Sequence, residues 1–208
     1  MKSSILALVL ISALSTQAVP AAAPAGFQQV PEPATLPDPA RMQVIDFFWY
    51  GCPYCNLFEP ELESWLASKP DNVDFIRIPA VIRPGWSNLA RAFYTAEALG
   101  IEEEFHARMF AAIHMQDRDL DDLDALAAIF SEQGIDRDRF EEVFNSEEVN
   151  RKVQEAGMLT RRYGIDSVPA IVVNGRYRTN PVLAGGASRI LDAVNALITP
   201  RQKQTEEP

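Results

Sequence analysis

Apolar and polar positions over residues 41–84 predict a strand, a helix and a second strand. Residues 44–49 read Val-Ile-Asp-Phe-Phe-Trp, a short apolar run of strand-forming residues that is typical of a buried strand. A helical spacing of large apolar side chains follows Pro53 and comprises Leu57, Phe58, Leu62, Trp65 and Leu66. Residues 73–78 then alternate between apolar and polar side chains, as in a strand. This order indicates a βαβ unit whose strands pair in parallel.

The region 85–163 differs because its apolar positions recur at helical spacing. Cap residues and glycines divide it into five predicted helices, at 87–100, 102–115, 122–133, 136–144 and 146–163. Ser87 is expected to cap the first helix, while Gly134 and Gly164 are expected to follow the ends of later ones. The pattern therefore predicts an all-helical insertion after the βαβ unit.

Strand pattern returns over residues 170–173, which read Ala-Ile-Val-Val. Asn174-Gly175 favours a type I′ hairpin turn, and residues 176–179 form the predicted return strand. A last amphipathic helix is predicted over 188–198. The predicted fold class is α/β, with a first half over 41–84, a helical insertion over 85–163 and a second half over 164–199.

The two ends of the chain predict segments outside this core. Lys2, an apolar run over 5–11 and small residues up to position 23 indicate a secretory signal peptide over 1–23, cleaved near 18 or 23. The apolar run is shorter than the ~20 residues of a membrane-spanning helix, although an uncleaved N-terminal anchor remains an alternative. The proline-rich segment 24–40 predicts an extended, poorly ordered leader with one short strand near 27–30, and 200–208 predicts a flexible tail.

Composition limits the classes of function. The chain has 208 residues, 47% of them hydrophobic, with a formal net charge of −10, which disfavours a general nucleic-acid binder because such a surface repels phosphate. Two cysteines exclude a disulfide-stapled miniprotein and a zinc site made of cysteines alone. The signal peptide places the mature chain in an oxidising compartment, where disulfides persist.

Both cysteines lie in one motif, Cys52-Pro53-Tyr54-Cys55, between the first predicted strand and the first predicted helix. A zinc site would need about two further ligands, but the two histidines lie eight residues apart, unlike the spacing in a zinc finger. A structural disulfide that closes so short a loop adds only roughly 2 kcal/mol of stability. Neither alternative is favoured, although both remain open.

A redox-active dithiol is the third interpretation of this motif. A cysteine at a helix N-terminus faces unpaired backbone N–H groups and the positive end of the helix dipole, which lower its pKa. A stabilised thiolate makes the Cys52–Cys55 disulfide oxidising, and Cys55 should be the more buried partner. Pro53 suits the first helical position because its missing N–H would be unpaired there.

A second motif, Ser167-Val168-Pro169-Ala170, precedes the strand pattern of the second half. Proline cannot donate to a strand ladder, so a trans proline at the strand start or a cis Val168–Pro169 bond would explain its position. The residues alone favour the trans form. Together with the dithiol motif over 44–55 and the insertion, however, the segment 167–177 resembles the DsbA family of periplasmic thiol:disulfide oxidoreductases.

The resemblance covers about residues 40–198 and implies a thioredoxin-like fold with an inserted all-helical subdomain. It implies that Cys52 is the nucleophile, Cys55 its buried partner and Pro169 a cis-proline against the disulfide. Val168 would offer backbone groups to an extended substrate strand. Asp46 matches a buried acid, usually Glu, that handles the proton of the buried cysteine.

One position departs from the best-known members, which carry histidine where this chain has Tyr54. Tyrosine offers a hydrogen bond but no positive charge, so the resemblance does not set the oxidising power. We expect a pKa of Cys52 still below that of a free thiol. His106 and His114 lie on a predicted helix, where surface or cap positions are expected.

The resemblance further implies an oxidase of reduced, folding secreted proteins in the periplasm of a Gram-negative bacterium. A membrane quinone-linked oxidase of the DsbB type would restore the disulfide. We expect a monomer that needs no dissociable cofactor or metal and binds no nucleic acid. The alternatives are a disulfide reductase or isomerase of the same compartment and, from a different class, a dithiolate metal-binding module.

Overall fold

The structure is a computed structural model that describes residues 22–34, 38 and 40–199. Nearly all of the predicted signal peptide and the predicted tail over 200–208 lie outside these residues. Among the described helices, none is both long and apolar enough to cross a membrane.

Within the described residues, five strands form one mixed sheet in the order β1-β5-β4-β2-β3. The strands are β1 (Gln28–Gln29), β2 (Met42–Phe48), β3 (Val73–Pro79), β4 (Ala170–Val173) and β5 (Tyr177–Thr179). β2 pairs in parallel with β3, as predicted, and antiparallel with β4. Because β2 lies inside the sheet with both faces covered, its residues form an almost continuous apolar run.

Helices cover both faces of the sheet. The described helices are α1 (Pro53–Leu66), α2 (Ser87–Leu99), α3 (Glu102–His114), α4 (Leu123–Ser131), α5 (Arg137–Phe144), α6 (Glu147–Arg162), α7 (Pro181–Ala184) and α8 (Ile190–Ile198). The side chains of α1 and α8 pack against Val44, while the insertion α2–α6 packs against Ile45 and Phe47 on the other face. Successive residues of β2 thus hold the two layers on opposite sides.

The ends of the inserted helices follow the sequence with one exception. Asp122, Asp136 and Ser146 each accept a hydrogen bond from a backbone N–H of the first turn, which caps α4, α5 and α6. Ser87 is not a cap, so that prediction was wrong. A short 3₁₀ turn at Pro84–Trp86 precedes it, and its hydroxyl donates to the Pro84 carbonyl at 2.7 Å.

The described part of the leader packs against the sheet. Val30 donates its N–H to the Arg176 carbonyl at 2.9 Å. The side chains of Val30 and Phe27 are both buried. The short strand predicted near 27–30 is therefore present, but a poorly ordered leader was the wrong expectation for 22–34. The edge of β5 offers unpaired backbone groups, and β1 satisfies them by antiparallel pairing.

The hairpin between β4 and β5 turns at Asn174 and Gly175, as predicted. Their φ angles are 52° and 58°, and a type I′ turn requires both to be positive. A side chain at Gly175 would also place its Cβ 2.9 Å from Ala34, so glycine suits the turn and its packing. α7 was not predicted; its single turn is capped by Asn180.

Candidate active site at the start of α1

The dithiol lies where the chain passes from β2 into α1. The Cys52 N–H donates to the Trp49 carbonyl at 2.9 Å and closes a tight turn. Gly51 is needed there because a Cβ would lie 2.5 Å from the Trp49 ring. Cys52 is the N-cap residue of α1 in an extended conformation, and Pro53 occupies its first turn. This arrangement places the Cys52 sulfur at the positive end of the helix.

The surroundings of Cys52 stabilise its thiolate. A hydrogen bond from the Cys55 side chain is the largest influence, and backbone N–H groups of Cys55 and Tyr54 reinforce it. The charge of His114 acts in the same direction. Together these groups outweigh the opposing effect of burial and lower the pKa of Cys52 to about 6.

Cys55 lies one helical turn further on, in the opposite kind of environment. It is 1% exposed, against 9% for Cys52, so the expectation that it is the more buried cysteine is confirmed. Burial raises the pKa of Cys55 far above its ordinary value, and the Cys52 sulfur and Asp46 add to the effect. The structure holds both cysteines as free thiols.

The loop before β4 faces the dithiol. The Val168–Pro169 peptide bond is cis, as the resemblance implies and contrary to the trans form that the residues alone favoured. The Cys52 thiol donates to the Val168 carbonyl across 3.5 Å. Because β4 pairs with β2, the sheet brings these two segments together although 116 residues separate them in the chain.

Apolar side chains lie exposed on the first two turns of α1 and at the end of α3. Tyr54 is 66% exposed and Leu57 is 70% exposed, although Leu57 belongs to the helical apolar spacing of this segment. The buried stripe of this helix instead follows Cys55, Phe58, Leu62 and Trp65. Met115, 81% exposed, lines the cleft between α1 and α3.

Asp46 lies in β2 below the dithiol and is 1% exposed. Within the part of the chain that the structure describes, neither of its carboxyl oxygens has a hydrogen-bond partner. Burial raises the pKa of Asp46 well above its usual range, Glu59 adds to this, and Arg77 opposes it. A charge on Asp46 raises the pKa of Cys55, so the carboxyl group lies close enough to influence the buried thiol.

The surface or cap position expected for His106 was wrong, because its side chain is buried and contacts Tyr50 in the turn before Cys52. His106 is 5% exposed, and its Nδ1 lies 3.0 Å from the Tyr50 hydroxyl. His114 Nε2 lies 2.7 Å from the Tyr50 carbonyl oxygen. Their spacing of eight residues, about two helical turns, is the sequence signal that could have placed them on one face.

Three charged residues near the dithiol were not predicted from the sequence to belong to the site. Arg77 of β3 contacts Glu59 and Glu63, and all three line a cleft of about 710 Å³ between α1 and α3 together with His106. Burial alone would lower the pKa of Arg77, but the neighbouring carboxylates raise it overall. A charged cluster therefore lies beside the dithiol, with Arg77 and Glu59 largely buried and Glu63 exposed.

Comparison with known proteins decides the family. The family model of the DSBA-like thioredoxin domain matches residues 43–197, which include the dithiol, the helical insertion and the Val168–Pro169 loop. The chain belongs to the DSBA-like thioredoxin family. The resemblance and the predicted fold class, a thioredoxin-like fold with a helical insertion, are therefore confirmed.

DsbA relatives match the chain over most of their length. The thiol:disulfide interchange protein DsbA of Burkholderia cepacia is 38% identical, over 85% of this chain and 86% of the relative. The protein of the same name from Azotobacter vinelandii is 36% identical over 94% of each chain.

Crystal structures of DsbA proteins share the architecture. Pseudomonas aeruginosa DsbA is 31% identical to this chain in sequence, and its crystal structure superimposes with a TM-score of 0.75. The match covers 82% of this chain and 88% of the Pseudomonas aeruginosa chain. The oxidoreductase DsbA of Xylella fastidiosa superimposes with a TM-score of 0.74 at 31% identity, covering 83% and 94%. The agreement thus extends through the sheet and the inserted helices.

Proposed function

We propose that this DsbA-type thiol:disulfide oxidoreductase is an oxidase, which donates a Cys52–Cys55 disulfide to reduced, folding secreted proteins. The unequal acidity of the two cysteines is the observation that carries the proposal. A Cys52 pKa of about 6 stabilises the reduced enzyme, because its thiolate is the preferred form at neutral pH. A stable dithiol form makes the corresponding disulfide a strong oxidant.

The first step is attack of a substrate thiolate on the Cys52 sulfur. A bond forms between the two sulfurs, the Cys52–Cys55 bond breaks, and the electron pair leaves on Cys55. Because burial makes the thiolate form of Cys55 unfavourable, the sulfur has to take up a proton as it leaves. Asp46, whose pKa is raised well above its usual range by burial, is the group we assign to supply that proton.

The second step releases the oxidised substrate. A second substrate thiolate attacks the substrate sulfur of the mixed disulfide, and Cys52 leaves as a thiolate. Its low pKa makes it a good leaving group, which favours release. Two electrons have then passed from the substrate to the enzyme, whose cysteines are both reduced.

The surface around Cys52 suits unfolded polypeptides. Tyr54, Leu57 and Met115 expose apolar area on the side from which a substrate would approach. The Val168 segment before the cis Pro169 lies against the Cys52 sulfur and is the backbone we assign to pair with an extended substrate. Such contacts use main-chain groups and general hydrophobicity, so they accept many sequences.

The compartment and the recycling partner belong to the same proposal. A cleaved signal peptide over residues 1–23 would deliver the enzyme to the periplasm of a Gram-negative bacterium. A membrane quinone-linked oxidase of the DsbB type would take the two electrons and restore the disulfide. Sequencing the N-terminus of the protein from periplasmic extracts tests delivery: a mature end just after residue 18 or 23 is expected, whereas an intact Met1 would contradict it.

Turnover of a reduced, unfolded substrate protein tests the reaction itself. The oxidised wild type should restore substrate activity, and Cys52→Ser should abolish transfer while leaving the fold nearly intact, as measured by circular dichroism. Asn56→Ser, at a half-buried position one turn further along α1, is a matched control that should retain transfer. Disulfide transfer by the Cys52→Ser variant would reject the assignment.

The redox state in the cell separates the oxidase from its alternatives. Trapping of thiols in periplasmic extracts should find the cysteines oxidised, while a persistent dithiol would indicate a reductase or isomerase. The metal-binding alternative predicts a bound ion on the purified reduced protein. Within the described residues, no group of three or more potential metal ligands is present.

A further inference from the structure

Two histidines of the helical insertion contact Tyr50, in the turn before Cys52, one at its side-chain hydroxyl and the other at its backbone carbonyl group. His106 contacts the Tyr50 hydroxyl at 3.0 Å, and His114 contacts the Tyr50 carbonyl oxygen at 2.7 Å. Tyr50 itself is 1% exposed, so these contacts fix a buried residue that lies two positions before the reactive cysteine. α3 is therefore physically connected to the dithiol site.

The contact of His114 determines its protonation pattern. A carbonyl oxygen can only accept a hydrogen bond, so Nε2 must carry the hydrogen that it donates to Tyr50. In the positively charged form of histidine both ring nitrogens carry a hydrogen, so the Nε2 contact is compatible with a charged ring. The His114 ring packs against the Phe110 ring, with centroids 6.0 Å apart and an angle of 26° between the planes, which restricts its orientation.

His114 lies within electrostatic range of Cys52. Hydrogen bonds from Cys55 and from the N–H of Tyr54 lower the pKa of Cys52, and the charge of His114 adds a smaller effect in the same direction. Other charged groups act on neighbouring residues: Asp46 acts on Cys55, while Glu102, Glu59 and Arg77 act on Tyr50.

We propose that His114 is a positioning residue of the dithiol site: it holds the Tyr50 carbonyl through Nε2–H and supplies the positive charge beside the Cys52 thiolate. Within the motif, Tyr54 brings no such charge, and its side chain is largely in solvent. The charge that favours the Cys52 thiolate then comes from the inserted helices rather than from the dithiol motif. This inference deepens the proposed oxidase function and rests on it.

Titration of the Cys52 thiolate by its ultraviolet absorbance tests the proposal in His114→Gln and His114→Leu. Glutamine keeps an N–H donor for Tyr50 but cannot become positive, so the Cys52 pKa should rise by about 0.5 unit. Leucine removes both donor and charge, and its shift should be at least as large. The equilibrium with glutathione should move correspondingly, by about threefold towards the oxidised enzyme for glutamine.

His106→Gln is the matched control, because it changes the other histidine on the same face of α3. Its Cys52 pKa should equal that of the wild type, and circular dichroism should show that all three variants are folded. A Cys52 pKa unchanged in His114→Gln, or an equal shift in His106→Gln, would overturn the proposal. The titration needs no substrate, so an inactive wild type with the expected shifts would contradict only the proposed oxidase function.

Discussion

The two cysteines lie one helical turn apart, yet their surroundings change their acidities in opposite directions. Cys52 sits at the N-terminus of α1, where hydrogen bonds lower its pKa to about 6. Cys55 sits below it, where burial and neighbouring negative charge raise the pKa. We call the surroundings of Cys52 the outer region and the surroundings of Cys55, which include Asp46, the inner region. The outer region thus favours a thiolate and the inner region a neutral thiol.

Because of this difference in acidity, the thiols of Cys52 and Cys55 have different roles although they are chemically identical. The outer sulfur can leave as an anion, whereas the inner sulfur needs a proton whenever the disulfide opens. The two regions also depend on each other, because the largest influence on Cys52 is the hydrogen bond from Cys55. Variants that change one region at a time can therefore separate the two effects.

The largest effect is expected from removing the inner sulfur. Cys55→Ala cannot form the internal disulfide, so turnover should fall by at least about 100-fold, as measured in the substrate oxidation assay. The Cys52 pKa should also rise, because its main hydrogen bond is lost.

Cys55→Ser sharpens this result. It should lose turnover equally, but its hydroxyl can still donate to Cys52, so the Cys52 pKa should stay closer to about 6. Equal Cys52 pKa values in wild type, alanine and serine variants would show that the two regions are not coupled.

The next effect concerns the acid of the inner region. Asp46 is buried without a described hydrogen-bond partner, so Asp46→Leu should raise the free energy of unfolding at neutral pH by about 1–3 kcal/mol. Urea denaturation of the oxidised protein measures the change. Asp74→Asn, which removes an exposed carboxylate paired with Arg41, should instead lower stability by less than about 1 kcal/mol. Destabilisation by Asp46→Leu would contradict this view of the inner region.

The pH dependence of stability compares both thiols at once. The folded pKa of Cys52, about 6, is below the ~8.5 of an unfolded thiol, so between these values the unfolded reduced chain binds more protons. The stability of the reduced form relative to the oxidised form should then rise with pH by about 1 kcal/mol per unit. This contribution is complete above ~8.5 and is lost as the pH falls through about 6.

At higher pH, Cys55 should reverse the trend, because its raised pKa keeps the folded group protonated while the unfolded thiol ionises. Denaturation of the oxidised and reduced proteins across the pH range measures the difference between their free energies of unfolding. The contributions of the carboxylates, which both forms share, largely cancel in that difference. A flat difference would mean that the folded Cys52 has an ordinary acidity.

The smallest effect is expected from the exposed position inside the motif. Tyr54→His adds a titratable positive charge, but the side chain at this position is 66% exposed and solvent weakens its influence. The Cys52 pKa should fall by about 0.5 unit. Tyr54→Gln should leave it unchanged, because the backbone N–H remains. A shift with glutamine as large as with histidine would attribute the effect to packing rather than charge.

The local parts of the site could be predicted from the sequence. A strand, a dithiol at a helix start and a Val-Pro pair before a second strand are short-range patterns, and the structure brings them together through the pairing of β2 with β4. The sequence is less informative where a residue's neighbours come from distant elements. Leu57 fits a helical apolar pattern but lies outside the stripe that meets the sheet.

The sequence by itself determined the dithiol, its place at a helix N-terminus and the layout of a βαβ half, a helical insertion and a second α/β half. These follow from side-chain periodicity and backbone chemistry, which act over a few residues. Only the tertiary structure decided that Asp46 is buried without a described partner and that His114 contacts the turn before Cys52. Burial and electrostatic influence depend on what lies nearby in space, and the docking of α3 brings together residues 64 positions apart.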